Sequence, residues 1–189
     1  MKLQNLGIKS LRGNIIDGMS EFKLSNTIQV SPDEARKIIN KFFSKVPKVE
    51  AFLNGLGELA KTRGYIRTAP PYSRVRFFPK QFYLREYLSE NKNKWLGEIE
   101  RAGKNSPVQG TNADILKLAL ILLQKEIDEN NWDVFILLTV YDEIQCEAHR
   151  SIAEAWRQKQ TEIMIKAAQT IIKSVPMDVD CKISEHWTK

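Results

Sequence analysis

Asp142 and Glu143 are adjacent acids that follow the apolar, β-branched run Phe135–Val140 and precede the alternating segment Ile144–Ala148. This pattern predicts a β-hairpin with two carboxylates at its tight turn. Carboxylates carried to the end of a buried strand are costly to desolvate. Where they occur they usually have an electrostatic task, such as holding a divalent cation. Acids also suit turns for purely local reasons, so the pair alone does not specify the chemistry.

A second set of polar residues recurs every four positions: Arg101, Asn105 and Gln109. On a helix this spacing puts all three on one face. Their guanidinium and amide groups match the minor-groove acceptors that every base pair presents, purine N3 and pyrimidine O2. The same spacing also describes an ordinary solvated helix face, and Pro107 lies inside it. Upstream, Lys61–Arg85 holds seven basic residues, Arg67, Arg74 and Arg76 among them, with six aromatics and no acid. Cations that displace counterions, interleaved with aromatics that stack, suit a phosphate-tracking surface. They equally suit a solvated hairpin whose aromatics face the core.

These residues need elements to position them. Ser31-Pro32-Asp33-Glu34 is a helix start, with serine as N-cap, proline in the first turn and acids at the positive end of the dipole. Ala35, Ile38, Ile39, Phe42 and Phe43 then give one apolar face until Pro47 breaks the helix. A second helix from about Val49 to Arg63 turns Phe52, Leu53, Leu56, Leu59 and Ala60 inward and ends at Gly64. Tyr65–Thr68 and Val75–Phe78 are short strands joined by the turn Ala69–Ser73. Trp95–Ala102 starts a helical stretch, and Thr111–Asp128 is a long, heavily apolar helix predicted to be mostly buried. After the acidic hairpin, Ser151 and Glu154 match a capping box opening a helix that runs to about Ser174. Pro176 stops it, and Met177–Ile183 alternates as a last strand. The expected fold is α+β: a helical portion, then long helices packed on a small antiparallel sheet.

The chain has 189 residues, 42% hydrophobic, with a formal net charge of +6. That size fits one ordinary domain or two small ones, and the charge leans toward polyanionic partners. No stretch approaches a membrane span and Met1–Gly13 has no signal-peptide apolar region, so a cytoplasmic protein (host cytoplasm for a viral one) is expected. Two cysteines, Cys146 and Cys181, and two histidines argue against zinc coordination and for reduced, structural thiols.

The long segment Asn105–Lys117, NSPVQGTNADILK, followed thirty residues later by Val140-Tyr141-Asp142-Glu143, resembles the C-terminal half of the polymerase domain of family A DNA polymerases. Their pattern Asn-x-Pro-x-Gln-Gly-Thr-x-Ala-Asp is matched at Asn105, Pro107, Gln109, Gly110, Thr111, Ala113 and Asp114. SPDEARKIINKFFSKVPKVEAFL resembles the fingers helices. GYIRT followed by SRVRFFP resembles the family's Gly-Tyr-Val-x-Thr hairpin with its arginine-rich continuation. Gly18-Met19-Ser20 matches the tail of the nucleotide-binding helix, and Trp187 fits near the C-terminal end.

The resemblance implies a helical fingers portion over residues 1–64 and a palm portion over 65–189. It implies template-directed nucleotidyl transfer to a primer 3′-hydroxyl, with primer-template DNA and deoxynucleoside triphosphates as partners and two Mg²⁺ ions as cofactors. Asp142 takes the role of the metal-binding carboxylate, with Glu143 as its catalytic neighbour. Arg101, Asn105 and Gln109 go to the primer-template junction, with Tyr141, Arg67, Arg74 and Arg76 as further DNA contacts. Lys9 falls at the triphosphate lysine, where a flexible ammonium follows the phosphates. The sequence departs from the family at Asn5 (arginine in the pattern), Gly13 (an aromatic), Asp17 (a tyrosine) and Tyr141 (a histidine). The family's other aspartate, on the strand of motif A, has no counterpart in these 189 residues. The expectation is therefore a split or truncated polymerase, inactive alone, with a separate chain as the possible source of motif A. The alternatives are a non-catalytic primer-template-binding module derived from such an enzyme, or an unrelated small α+β protein.

Overall fold

A computed structural model describes Ile15, residues 19–78 and residues 92–186. Lys9, Gly13, Asp17 and Trp187 lie outside the described residues. The chain is α+β, as its pattern predicts. In order come α1 (Glu21–Ile28), α2 (Pro32–Ser44), α3 (Pro47–Arg63), β1 (Tyr65–Arg67), β2 (Val75–Phe77), α4 (Lys92–Asn130), β3 (Val134–Val140), β4 (Glu143–Ala148) and α5 (Ala153–Ile171). Among the described residues two antiparallel sheets form, β1–β2 and β3–β4. Contacts divide the chain into two compact units, residues 1–68 with 73–108 and residues 69–72 with 109–189.

In the first unit, local chemistry sets the helix ends. The Ser31 hydroxyl accepts from the Glu34 N–H at 3.2 Å while the Glu34 carboxylate accepts from the Ser31 N–H at 3.0 Å, a complete capping box. Gly64 closes α3 in the left-handed region at φ 72°, where a side chain would be strained. Ala60, Ile66, Phe78 and Ile99 form the core, flanked by Leu56, Leu59 and Ala102. Phe52, expected inward, is exposed: the contact face of α3 runs through Leu53, Gly57 and Ala60, and Phe52 lies a quarter-turn away.

That face touches α4 closely enough to exclude side chains. A methyl group on Gly103 would collide with the Ala60 side chain and lie 3.2 Å from the Leu56 carbonyl oxygen. Beside this crossing, Glu100 joins Lys61 at 3.1 Å and Lys104 at 2.7 Å, and Lys61 also reaches Glu58 at 2.6 Å. Lys104, and then Lys61, hold the Glu100 carboxyl below the usual glutamate range.

The two helical stretches expected around Pro107 are one continuous 39-residue helix, α4. Proline removes one backbone donor from its interior. The preceding residue, Ser106, turns its hydroxyl back onto the Ala102 carbonyl at 2.5 Å.

In the second unit, Ala119, Leu123 and Ile127 of α4 pack with Val134 and Ile144 of the hairpin and Trp156, Ile163 and Ala167 of α5. The rings of Trp132 and Trp156 meet edge-on at 5.6 Å. Burial among these groups pushes the Cys146 thiol up to about 11, so it stays a neutral S–H beside the Trp156 indole.

Three expectations fail here. The apolar run Phe135–Val140 is not a buried strand: Phe135 and Leu137 are 64% and 57% exposed. Helices cover one face of the hairpin only. A register shift between Ile136 and Leu138 also breaks the strict alternation. The capping box at Ser151 does not form. Its hydroxyl pairs with His149 Nδ1 at 2.8 Å, Glu154 binds Arg157, and α5 begins at Ala153 without a side-chain cap. The helix then ends at Ile171, and Met177–Ile183 forms no strand, because it has no ladder partner among the described residues.

Two measurements check this packing. Gly103→Ala is expected to destabilise the first unit by about 1–3 kcal/mol in denaturant unfolding, the usual range for overpacking, whereas Gly55→Ala, with open space around it, should stabilise or leave stability unchanged. Because folding lowers the Glu100 pKa, its contribution is present above the unfolded value and lost as pH falls through the folded one. Wild type should therefore lose more stability than Glu100→Gln as pH is lowered from neutrality through the glutamate range near 4.5; parallel pH profiles would contradict this.

Candidate nucleic-acid and metal site

The candidate site residues fall into groups, each held inside one unit. In the second unit, Val140 pairs with Glu143 and Tyr141-Asp142 form the two-residue loop between β3 and β4. Asp142 is therefore the carboxylate of the turn itself, and Glu143 is the first residue of β4. Glu143 accepts from the Gln145 amide at 3.3 Å. Asp142 is exposed and makes no hydrogen bond or ion pair among the described residues. From below, the buried Gln160 of α5 donates to the Ile144 carbonyl at 3.1 Å, tying the base of the turn to a rigid helix.

Tyr141 occupies the left-handed region at φ 56° and is 93% exposed. A first loop residue with positive φ matches the twist of the strands. For a bulky side chain that conformation costs about 1–3 kcal/mol. Packing does not explain a tyrosine there, since its ring buries almost nothing.

In the first unit, Arg101 is exposed and Asn105 is half-buried. The Asn105 Oδ1 is buried without a hydrogen-bond partner. That arrangement directs the amide donors outward, the end of the group that minor-groove acceptors need. The Arg101 guanidinium reaches back along the helix over Gly97, within 3.4 Å of where a Cβ would sit. Gln109, on the same helix, belongs to the second unit and is exposed.

The arginines of the β1–β2 hairpin are less free than their composition suggests. Arg67 donates to the Ser73 carbonyl at 3.1 Å and lies 5.6 Å from the centre of the Tyr65 ring. Arg76 donates to the Ser106 hydroxyl at 2.9 Å and lies over the Phe78 ring. Arg74 is exposed, and its backbone N–H is bound by the Thr68 hydroxyl at 3.0 Å. Within the Gln109-Gly110-Thr111 motif, the Thr111 hydroxyl accepts from the Ala69 N–H at 3.0 Å and so fixes the turn before Ser73.

Ser106, Gly103, Gln145 and Gln160 support these groups and were not singled out from the sequence. Only the close spacing of Gln145 to Glu143 was visible there, since the others act across distant parts of the chain.

Carboxylate oxygens at Asp142 and Glu143 are the hard donors that Mg²⁺ prefers. Their number is insufficient: the described residues contain no group of three or more His, Cys, Asp or Glu able to hold a metal ion. The turn fits part of a Mg²⁺ site, not a whole one. No helix among the described residues is long and apolar enough to cross a membrane.

The model of the family described as DNA polymerase family A matches residues 7–189. DNA polymerase I of Caldicellulosiruptor bescii is 31% identical over 95% of the chain, which spans 20% of that protein. The thermostable DNA polymerase I of Thermus aquaticus is 32% identical over 98% of the chain and 21% of its own length. The solved polymerase domain of Pol1 from M. smegmatis, in complex with DNA primer-template and dNTP, superposes with a TM-score of 0.73 at 27% identity, covering 84% of this chain and 26% of that one. The chain thus spans about a fifth of the length of the curated relatives it matches. Family match, identity and fold agree, and this chain belongs to DNA polymerase family A.

Proposed function

We propose that the chain supplies the C-terminal fingers-and-palm portion of a DNA-directed DNA polymerase. Its second motif aspartate would come from outside these 189 residues, on a separate chain or another part of a longer one. The supporting observation is Asp142: an unpaired carboxylate presented at a strained, two-residue turn, on a hairpin anchored by Gln160. Arg101, Asn105 and Gln109 hold the primer-template duplex through donors that accept any correct base pair. The Tyr141 hydroxyl donates to the primer backbone and, unlike the family's histidine, does not become cationic near neutral pH. Arg67 and Arg76 shape the basic hairpin, and Arg74, also exposed, belongs to the same basic surface. Lys9 serves the triphosphate. Asp142, with Glu143 beside it, would contribute carboxylate oxygens to a Mg²⁺ site completed from outside these residues, where the ion would supply Lewis-acid stabilisation of charge in nucleotidyl transfer.

A second reading, a primer-template-binding module without catalysis, is favoured by Gly13 and Asp17, which stand where the family's nucleotide-binding pattern has an aromatic and a tyrosine. One experiment separates the two. The purified chain alone should not extend a primer. Mixed with the remaining N-terminal portion of a relative such as the Caldicellulosiruptor bescii enzyme, it should restore Mg²⁺-dependent extension, and Asp142→Ala should lower that by roughly a hundredfold or more. Extension by the chain alone would refute the need for a second carboxylate. Salt-sensitive duplex binding with no extension in the mixture would favour the binding module.

The duplex contact has its own check. Asn105→Ala removes a buried acceptor that has no partner, a group whose desolvation costs about 1–3 kcal/mol, so the melting temperature should hold or rise. Primer-template affinity should fall severalfold at the same time. A lower melting temperature with unchanged affinity would make Asn105 a structural residue.

A further inference from the structure

Within the first unit, one side chain of the β1–β2 hairpin is bonded to a side chain of α4. The Arg76 guanidinium donates to the Ser106 hydroxyl at 2.9 Å. Ser106 in turn donates its own proton to the Ala102 carbonyl, one turn back along the helix. The relay therefore runs one way, from Arg76 through Ser106 to the helix backbone, and the hydroxyl meets the arginine purely as an acceptor. Arg76 also lies 5.6 Å from the centre of the Phe78 ring, which is buried in the core of this unit. Ring and hydroxyl together restrain the guanidinium in two directions.

Neither partner carries a charge. Arg76 is exposed and makes no ion pair among the described residues. Arg36 of the same unit is instead held by the Glu21 carboxylate at 3.3 Å. A carboxylate fixes a guanidinium and neutralises it. A hydroxyl fixes it and leaves the charge, with the remaining N–H donors, for an anion from outside. The position of this anchor on α4 matters as well. Ala102 and Ser106 form the four-residue row beside Arg101 and Asn105. The Asn105 oxygen is buried, so its amide donors point outward from the neighbouring row.

We propose that Ser106 is a positioning residue for duplex DNA: its hydroxyl holds Arg76 beside Asn105, so that one rigid patch grips a backbone phosphate and a groove edge together. This deepens the primer-template reading and rests on it. In a duplex, phosphates border the groove whose floor carries the base-edge acceptors. A cation fixed one row away from a groove-reading amide stands where such a phosphate passes. Ser106 itself touches no DNA. Its contribution is that Arg76 has already lost rotamer freedom in the free protein, and binding does not have to order a long side chain.

Fluorescence anisotropy of the full 189-residue chain with a primer-template duplex, repeated over a salt series, tests this. Ser106→Ala should weaken binding about two- to tenfold, the net worth of one hydrogen bond, and flatten the salt dependence as the phosphate contact loosens. Arg76→Ala should weaken it at least as much and lower the log–log salt slope by about 1, the value for one phosphate contact. On the Arg76→Ala background Ser106→Ala should add nothing, because the serine acts through the arginine. Ser106→Thr, which keeps the hydroxyl, should retain wild-type affinity and slope. Thermal melting is the control for folding, and Ser106→Ala should hold its melting temperature because alanine is the better helix former.

Equal weakening by Ser106→Ala with and without Arg76 would overturn the inference and leave the primer-template reading standing. So would a lower melting temperature with unchanged affinity and salt slope, which would make Ser106 a tether of the fold alone. Absence of any duplex binding by the wild-type chain would overturn the primer-template reading itself, and this inference with it.

Discussion

The fit of α3 against α4 fixes the rotation of α4 about its own axis. Gly103 lies against the Ala60 side chain and the Leu56 carbonyl and leaves no room for a side chain, while at Gly57 the neighbours are the side chains of Glu100 and Lys104. With Gly103 facing α3, Ile99 and Ala102 fall on the core. Glu100 and Lys104 reach the rim where Lys61 waits, and Arg101 is left on the exposed side. Asn105 ends half in and half out, with its oxygen inside and without a partner. Thus the placement of Arg101 and Asn105 is set by the Gly103 contact and an ion-pair cluster more than by those two residues themselves. Ser106 adds a tether from the same helix to the β1–β2 hairpin through Arg76.

The second unit solves a related problem with different chemistry. A short hairpin is marginal in water, so its turn needs support from helices. Gln160 provides it at the backbone of Ile144, and the Trp132–Trp156 contact with the surrounding aliphatics provides it at the strand base. A rigid base lets the loop hold Tyr141 in a backbone conformation that tyrosine disfavours. Strain retained at an exposed side chain points to selection for what that side chain meets outside the chain.

Much of this was legible in the sequence because it depends on neighbours along the chain. The Ser31 cap, the Gly64 stop, the hairpin with Asp142 at its turn and the four-residue spacing of Arg101, Asn105 and Gln109 are all short-range features. What was not legible depends on partners far away in sequence. Hydrophobicity marked Phe52, Phe135 and Leu137 as core, but only the covering elements decide which apolar residues are covered. Pro107 threatened the alignment of the stripe because its missing donor is a local fact, while the helix continues through it. Ser151 satisfied a capping pattern, yet His149 competed for its hydroxyl. Ser106 and Gln160 carried no signal at all, being ordinary polar residues until the fold brings Arg76 and Ile144 to them.

The exposed side chains of β3 carry a colloidal consequence. Phe135, Leu137 and Leu138 stand out along a strand that is paired on one edge only among the described residues. The segment Val134–Val140 has no charge, no proline and no glycine to discourage a second strand from adding to it. Concentrated preparations of the isolated chain therefore have a built-in route to self-association through this edge, and solubility would be governed there more than by its net charge.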